Sequence, residues 1–136
     1  IVSDLPSGRE HFSSVYGIKE WTKEFRDEVN GVYVQFCIDN SGICYEIIAP
    51  IDRNSPVYNV IEKSLNIINH IAYRVENIEE KAPDLFDNNF ISLGEAKKAV
   101  AYKMKRIQFF YSKDHHYLLE LIESSNHKHE YFELDR

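Results

Sequence analysis

Laid over itself at an offset of 73, the chain repeats. Val2 falls on Val75, Asp4 on Asn77, Leu5 on Ile78 and Phe12 on Leu85, and Gln35-Phe36 falls on Gln108-Phe109. "CYEIIA" (Cys44 to Ala49) then falls on "LLELIE" (Leu118 to Glu123) at an offset of 74, one turn residue further on. A similarity that keeps its spacing over most of 136 residues is one supersecondary module written twice. This constrains the fold more than any other feature, because whatever the first copy builds the second must build too.

Each copy reads as β-α-β-β-β. A strand ends at a cap, Asp4 or Asn77, and Glu80 follows Asn77 at capping-box spacing. An amphipathic helix comes next, with Phe12, Val15 and Tyr16 on one face, or Ala82, Leu85 and Phe86 in the second copy. Gly17 and Asn88-Asn89 end these helices. Three strands are expected after that. The first is faint, around Thr22 to Val29 and Ala96 to Lys103. The second alternates, with Val32, Val34, Phe36 and Ile38 against Tyr33, Gln35 and Cys37. Turns at Asp39 to Gly42 and Ser112 to His116 lead into a strongly apolar last strand. The expected layout is one α+β domain over 1–136: module one 1–50, a linker 51–66 with a Ser55-Pro56 turn, module two 67–123 and a polar tail 124–136, whose His127 and His129 read as solvated.

Composition removes whole classes of function. Lys plus Arg is 16 against 22 Asp plus Glu, a net charge of −6, which argues against nucleic acid or an anionic membrane surface as partner. No apolar run reaches the roughly 18 residues of a membrane span. Cys37 and Cys44 lie in strand-like runs without zinc-type spacing and read as reduced core residues of a cytoplasmic protein.

Three ionisable residues stand inside apolar strands. Residues two apart share a strand face, so Glu46 sits between Cys44 and Ile48, Glu120 between Leu118 and Ile122, and His70 between Ile68 and Ala72. Their opposite faces are apolar too, which predicts burial. A buried carboxylate must be paired, protonated or bound to a cation. Glu46 and Glu120 hold the same place in the two modules. If the modules pack with pseudo-twofold symmetry the two carboxylates meet and repel, and a divalent cation removes that penalty. His70 alone would read as a hydrogen-bonded core histidine; with the matched glutamates it reads as a ligand. Glutamate and histidine together suit Zn, Ni, Co, Mn or Fe(II) over Ca or Mg. Gln35 and Gln108, also matched, are expected either as substrate contacts in the same cavity or as ordinary strand positions. Glu24 and Glu28 are further possible bases that nothing singles out. His11, His115 and His116 have no such context.

In "YEIIAP" followed by Ser55-Pro56, then "HIAYRVENIEE", then "LLELIE", the chain resembles the vicinal oxygen chelate superfamily, which holds glyoxalase I (lactoylglutathione lyase) and methylmalonyl-CoA epimerase. The resemblance implies paired βαβββ modules curled into an open, barrel-like mixed sheet, helices outside, around one divalent metal (Zn, Ni, Co or Mn). It implies metal ligands at Glu46, His70 and Glu120. It implies a fourth, histidine or glutamine, on the first module's first strand, which the 73-residue offset sets four positions before Ile1.

The activity implied is isomerase, epimerase or lyase chemistry: proton transfer at a carbon beside the carbonyl of a small thioester or thiol adduct. Glu120 is expected as the base, with Glu46 as ligand and catalytic partner. A homodimer is expected, because open sheets leave edges to cover. Two rivals share the fold. An Fe(II) ring-cleaving dioxygenase is opposed by Glu46, which would crowd the open positions that oxygen and substrate need. A metal-free drug-binding protein of the bleomycin-resistance kind is opposed by retention of all three ligand positions.

Overall fold

The computed structural model describes residues 1–63 and 68–125, which form two compact units, one over 1–63 and one over 68–125. His127, His129 and most of the expected tail lie outside the described residues.

In the first unit, α1 (Leu5–Tyr16) starts at Asp4, whose carboxylate accepts the Ser7 N–H at 2.8 Å, and stops at Gly17, which takes the left-handed φ of 68° that ends a helix cheaply. Strands β1 (Phe25–Asp27), β2 (Val32–Ile38) and β3 (Cys44–Pro50) form an antiparallel sheet in that order. The Val2 N–H donates to the Ile48 carbonyl at 2.9 Å, so the segment before α1 lies along β3. The face of the sheet toward α1 buries Ile47 and Ala49 against Leu5, Val2, Phe12, Trp21 and Tyr33. The expected linker contains a short helix, α2 (Tyr58–Glu62), that its Ser-Pro punctuation did not announce.

The second unit carries the whole module: β4 (His70–Val75), α3 (Ile78–Asp87), β5 (Phe90–Ser92), β6 (Lys97–Ala99), a 3-10 turn (Val100–Tyr102), β7 (Lys105–Ser112) and β8 (Leu118–Glu123). Its sheet runs β4-β8-β7-β5, with β6 also paired to β7. β4 is parallel to β8, and the remaining pairs are antiparallel. The Asn77 side chain accepts the Glu80 N–H at 2.9 Å, the cap read from the sequence. Ile78 and Leu85 of α3 bury against Phe110 and Leu121. The class is α+β, as expected. The faint stretch after the helix resolves differently: 96–103 holds only three strand residues and then turns, and a separate strand, β5, precedes it.

Register sorts every side chain of the second sheet. Ala72, Glu120 and Phe109 are direct partners across β4, β8 and β7, and His70, Leu118 and Tyr111 form the next row of the same face. Gln108, Phe110, Leu119 and Leu121 fall on the other face, the one α3 covers. The expectation that β4 is apolar and buried on both faces is corrected here. β4 ends its sheet, and Ile71 and Tyr73, on the helix-side face, are exposed.

Candidate metal centre

Glu120 sits in the middle of β8, between β4 and β7, and its side chain is 2% exposed. Burial on that scale costs several kcal/mol for an uncompensated carboxylate, so partners are obligatory. Two of them meet on one oxygen. His70 Nε2 lies 3.0 Å from Glu120 Oε2, and the Tyr102 hydroxyl donates to the same Oε2 at 3.3 Å. The imidazole is itself 7% exposed. Its other nitrogen, Nδ1, is 3.0 Å from Asn69 Oδ1, a partner that fixes the ring's orientation. Phe109 meets the ring edge to face, centroids 5.3 Å apart and planes at 89°. The residue beside the histidine thus orients it, and the aromatic opposite the glutamate walls it.

Tyr102 arrives from the 3-10 turn, not from a strand. Lys103 and Met104, directly after it, both take left-handed backbone (φ 53° and 63°), which turns the chain sharply from β6 into β7. Two consecutive non-glycine residues there carry a conformational cost, and the result is a buried tyrosine whose hydroxyl reaches Glu120.

The first unit repeats the pattern on its own sheet. Glu46 on β3 is the direct partner of Phe36 on β2, as Glu120 is of Phe109. Glu46 shares its face with Cys44 and Ile48, away from the face that packs on α1. The Cys44 thiol is pushed up to about 11, by burial first and by the Glu46 charge second, so at neutral pH it is a protonated thiol beside the carboxylate. Both cysteines are free, with Cys37 fully buried.

Gln35 and Gln108, read either as substrate contacts or as ordinary strand positions, lie on the helix side of their sheets. Gln35 pairs with Ile47, one residue out of phase with Glu46. Its amide is buried, donating to the Thr22 carbonyl at 2.6 Å and accepting from Arg9 Nη1 at 2.9 Å. Gln108, one residue from Phe109, donates to Ser92 Oγ at 3.0 Å and the Gly94 carbonyl at 2.7 Å. A period of two makes one residue the difference between faces. Phe109 and Tyr102, beside Glu120 and His70, escaped the sequence reading; the repeat of Phe36 at Phe109 was the available signal. The other candidates have partners of their own: Glu24 pairs with Arg9, Glu28 with Arg26 at 2.6 Å, and His116 Nδ1 with the Tyr111 hydroxyl at 2.8 Å in the exposed β7–β8 turn.

Residues 1–111 match the profile of the Glyoxalase/Bleomycin resistance protein/Dioxygenase superfamily. No curated protein matches the chain. Among solved structures, methylmalonyl-CoA epimerase from Mycobacterium tuberculosis superposes with a TM-score of 0.75 at 23% identity, covering 92% of this chain and 83% of that one. Hypothetical protein BH1468 from Bacillus halodurans C-125 gives 0.78 at 19% identity, covering 93% and 91%. A Streptomyces coelicolor methylmalonyl-CoA epimerase variant in complex with 2-nitronate-propionyl-CoA gives 0.71 at 23%, covering 90% and 91%. At these identities the likeness establishes the shared fold.

Proposed function

Because the chain belongs to the Glyoxalase/Bleomycin resistance protein/Dioxygenase superfamily, we propose that it is a divalent-metal-dependent isomerase, epimerase or lyase of the glyoxalase type. Its reaction is proton transfer at a carbon next to the carbonyl of a small thioester or thiol adduct. The observation that carries this reading is the buried contact of His70 Nε2 with Glu120 Oε2 on one face of the second sheet. Glu46 joins them as a ligand in this reading, since it takes the place of Glu120 in the repeat and stands opposite Phe36 as Glu120 stands opposite Phe109.

The donor set fits the group. One imidazole nitrogen and two carboxylates suit Zn, Ni, Co or Mn. When bound, the metal supplies Lewis-acid polarisation of a substrate oxygen. The chain's own residues do the rest. Glu120 is the base that takes the proton from carbon and returns it, its Oε2 held in place by His70 and the Tyr102 hydroxyl. Phe109 keeps water from the imidazole and the carboxylate. The bound 2-nitronate-propionyl-CoA of a structural neighbour favours the thioester form of substrate.

Metal analysis tests the reading. Protein reconstituted with Zn, Ni, Co or Mn should hold about one ion per chain, and Glu120→Ala should hold almost none. A metal-free wild type after all four reconstitutions would sink the enzyme and leave a ligand-sequestering protein. A homodimer belongs to the same reading: β4 ends its sheet with Ile71 and Tyr73 exposed beside it. Sedimentation equilibrium should return twice the 16.0 kDa chain mass; a monomer at all concentrations would remove the dimer.

A further inference from the structure

One turn of the first unit sets a labile amide against a buried acid. Asn30-Gly31 is the one Asn-Gly pair in the chain, and it lies in the four-residue turn between Asp27 and Val32, which pair across β1 and β2. A side-chain amide followed by glycine is chemically labile, because no side chain on the next residue shields the path from its backbone nitrogen to the asparagine Cγ. Both residues are half-buried, so water reaches them.

The fold makes this amide structural. Asp27 is 4% exposed, and Asn30 meets both of its oxygens: the Asn30 backbone N–H donates to Oδ1 at 3.0 Å, and Nδ2 donates to Oδ2 at 2.9 Å. The two bonds close the turn on a carboxylate that burial would otherwise penalise. Gly31 takes a left-handed φ of 68°, and its carbonyl accepts the Ile51 N–H at 3.1 Å. A Cβ on Gly31 would lie 3.4 Å from Pro56 Cδ and 3.6 Å from Ser55 Cα, so the linker packs closely on this residue. The turn therefore satisfies a buried acid on one side and, on the other, anchors the linker at the first residue past β3, the strand that carries Glu46.

We propose that Asn30 is a self-modification site, whose spontaneous deamidation turns the clasp on Asp27 into a repulsion and frees the linker at Ile51. The Gly31 backbone nitrogen gives up its proton to solvent base and bonds to Asn30 Cγ. The Cγ–Nδ2 bond breaks, and Nδ2 leaves as ammonia with a proton taken from water. Water then adds to one of the two carbonyls of the resulting succinimide and breaks its bond to the Gly31 nitrogen, which takes back a proton. In sum, amide and water become acid and ammonia. One opening leaves an aspartate; the other leaves an isoaspartate, whose main chain runs through the former side chain and is one carbon longer. Either product sets an acceptor where a donor stood, against a buried carboxylate that offers only acceptors. The longer main chain also shifts the Gly31 carbonyl away from Ile51. Asp27 sets the pace, since an Nδ2 held by a carboxylate is neither free to turn nor supplied with a proton. None of this needs the metal or the substrate of the proposed activity.

The test ages the full chain in mildly alkaline buffer and follows two readouts. Trypsin frees residues 27–53 as one peptide, in which mass spectrometry assigns the amide-to-acid change to Asn30 or to Asn40, which a serine follows. Asn30 should convert first. Hydrogen exchange at the Ile51 amide should quicken about tenfold in the aged chain and in Asn30→Asp, which installs the product's charge. Aged Asn30→Ser, which keeps a hydroxyl donor for Asp27 and has no amide to lose, should exchange Ile51 as fresh wild type does. The aged wild type gives the reading by itself if Asn30→Asp does not fold. The site is overturned if Asn30 converts no faster than Asn40, and the release of the linker is overturned if the converted chain exchanges Ile51 at the fresh rate. A free 27–53 peptide that converts no faster than the native chain removes Asp27 as the pacing group.

Discussion

Glu120 Oε2 receives both His70 and Tyr102, so one carboxylate oxygen fixes the positions of an imidazole and a phenol. Removing the hydroxyl with Tyr102→Phe leaves a buried charge with one donor fewer. The expected cost is about 1–2 kcal/mol in urea unfolding of the metal-free protein, with zinc affinity lowered about tenfold or more by chelator competition. A variant as stable and as metal-avid as wild type would show that the bond does nothing. At this scale the sequence was legible where a residue's chemistry conflicts with its surroundings. His70 and Glu120 stand out because ionisable groups are rare in apolar strands. Gln35 and Gln108 were illegible for the opposite reason: an amide is at home on either face, and only strand register decides which. Tyr102 announced nothing, since a tyrosine in an apolar stretch looks like ordinary core.

Among the elements, α3 is tied to its sheet by charge as well as by packing. Arg106 holds Glu79 by two 2.8 Å contacts and reaches Glu123 at 2.6 and 2.9 Å, while Glu123 Oε2 also accepts the first helical N–H, that of Ile78, at 3.2 Å. The Arg106 hydrogen bonds hold both carboxyls below their ordinary range. A carboxyl depressed in the folded state contributes stability above its unfolded pKa and loses it as pH falls through the lower folded value. The melting temperature of wild type should therefore decline below about pH 4.5. Arg106→Ala should be less stable at pH 7 and show a flatter decline on acidification. Identical slopes would remove the ion pairs from the acid transition. The caps at Asp4, Asn77 and Gly17 could be read in advance because capping is a local, side-chain event. β5 and β6 could not: three-residue strands are too short to show a period, and only pairing with β7 defines them.

The molecule as a whole is two copies of one idea, each with its own core. Ile47 packs with Leu5 and Ala49, whereas Leu121 packs with Ile78, Leu85 and Phe110. Truncation to alanine should cost about 2–5 kcal/mol at either site. With no member shared between the clusters, the double variant should equal the sum within about 0.5 kcal/mol. A larger discrepancy in denaturant unfolding would mean that the cores act as one. The repeat makes the doubled architecture legible in the sequence, since each module's caps and strands support the assignment of the other's.

In each sheet one alternation assigns the glutamate to one side and the helix-packing residues to the other. A single-residue deletion inside β8 would therefore exchange Glu120 with a leucine, burying a carboxylate under α3 and presenting an alkyl chain to His70. The turns feel no such coupling. The second copy's hairpin tip is already one residue longer than the first's, and Phe109 still faces Glu120 as Phe36 faces Glu46. Chains of this design can gain or lose length at their tips across generations, but a frame error within a strand removes the chemistry and the hydrophobic core in one step.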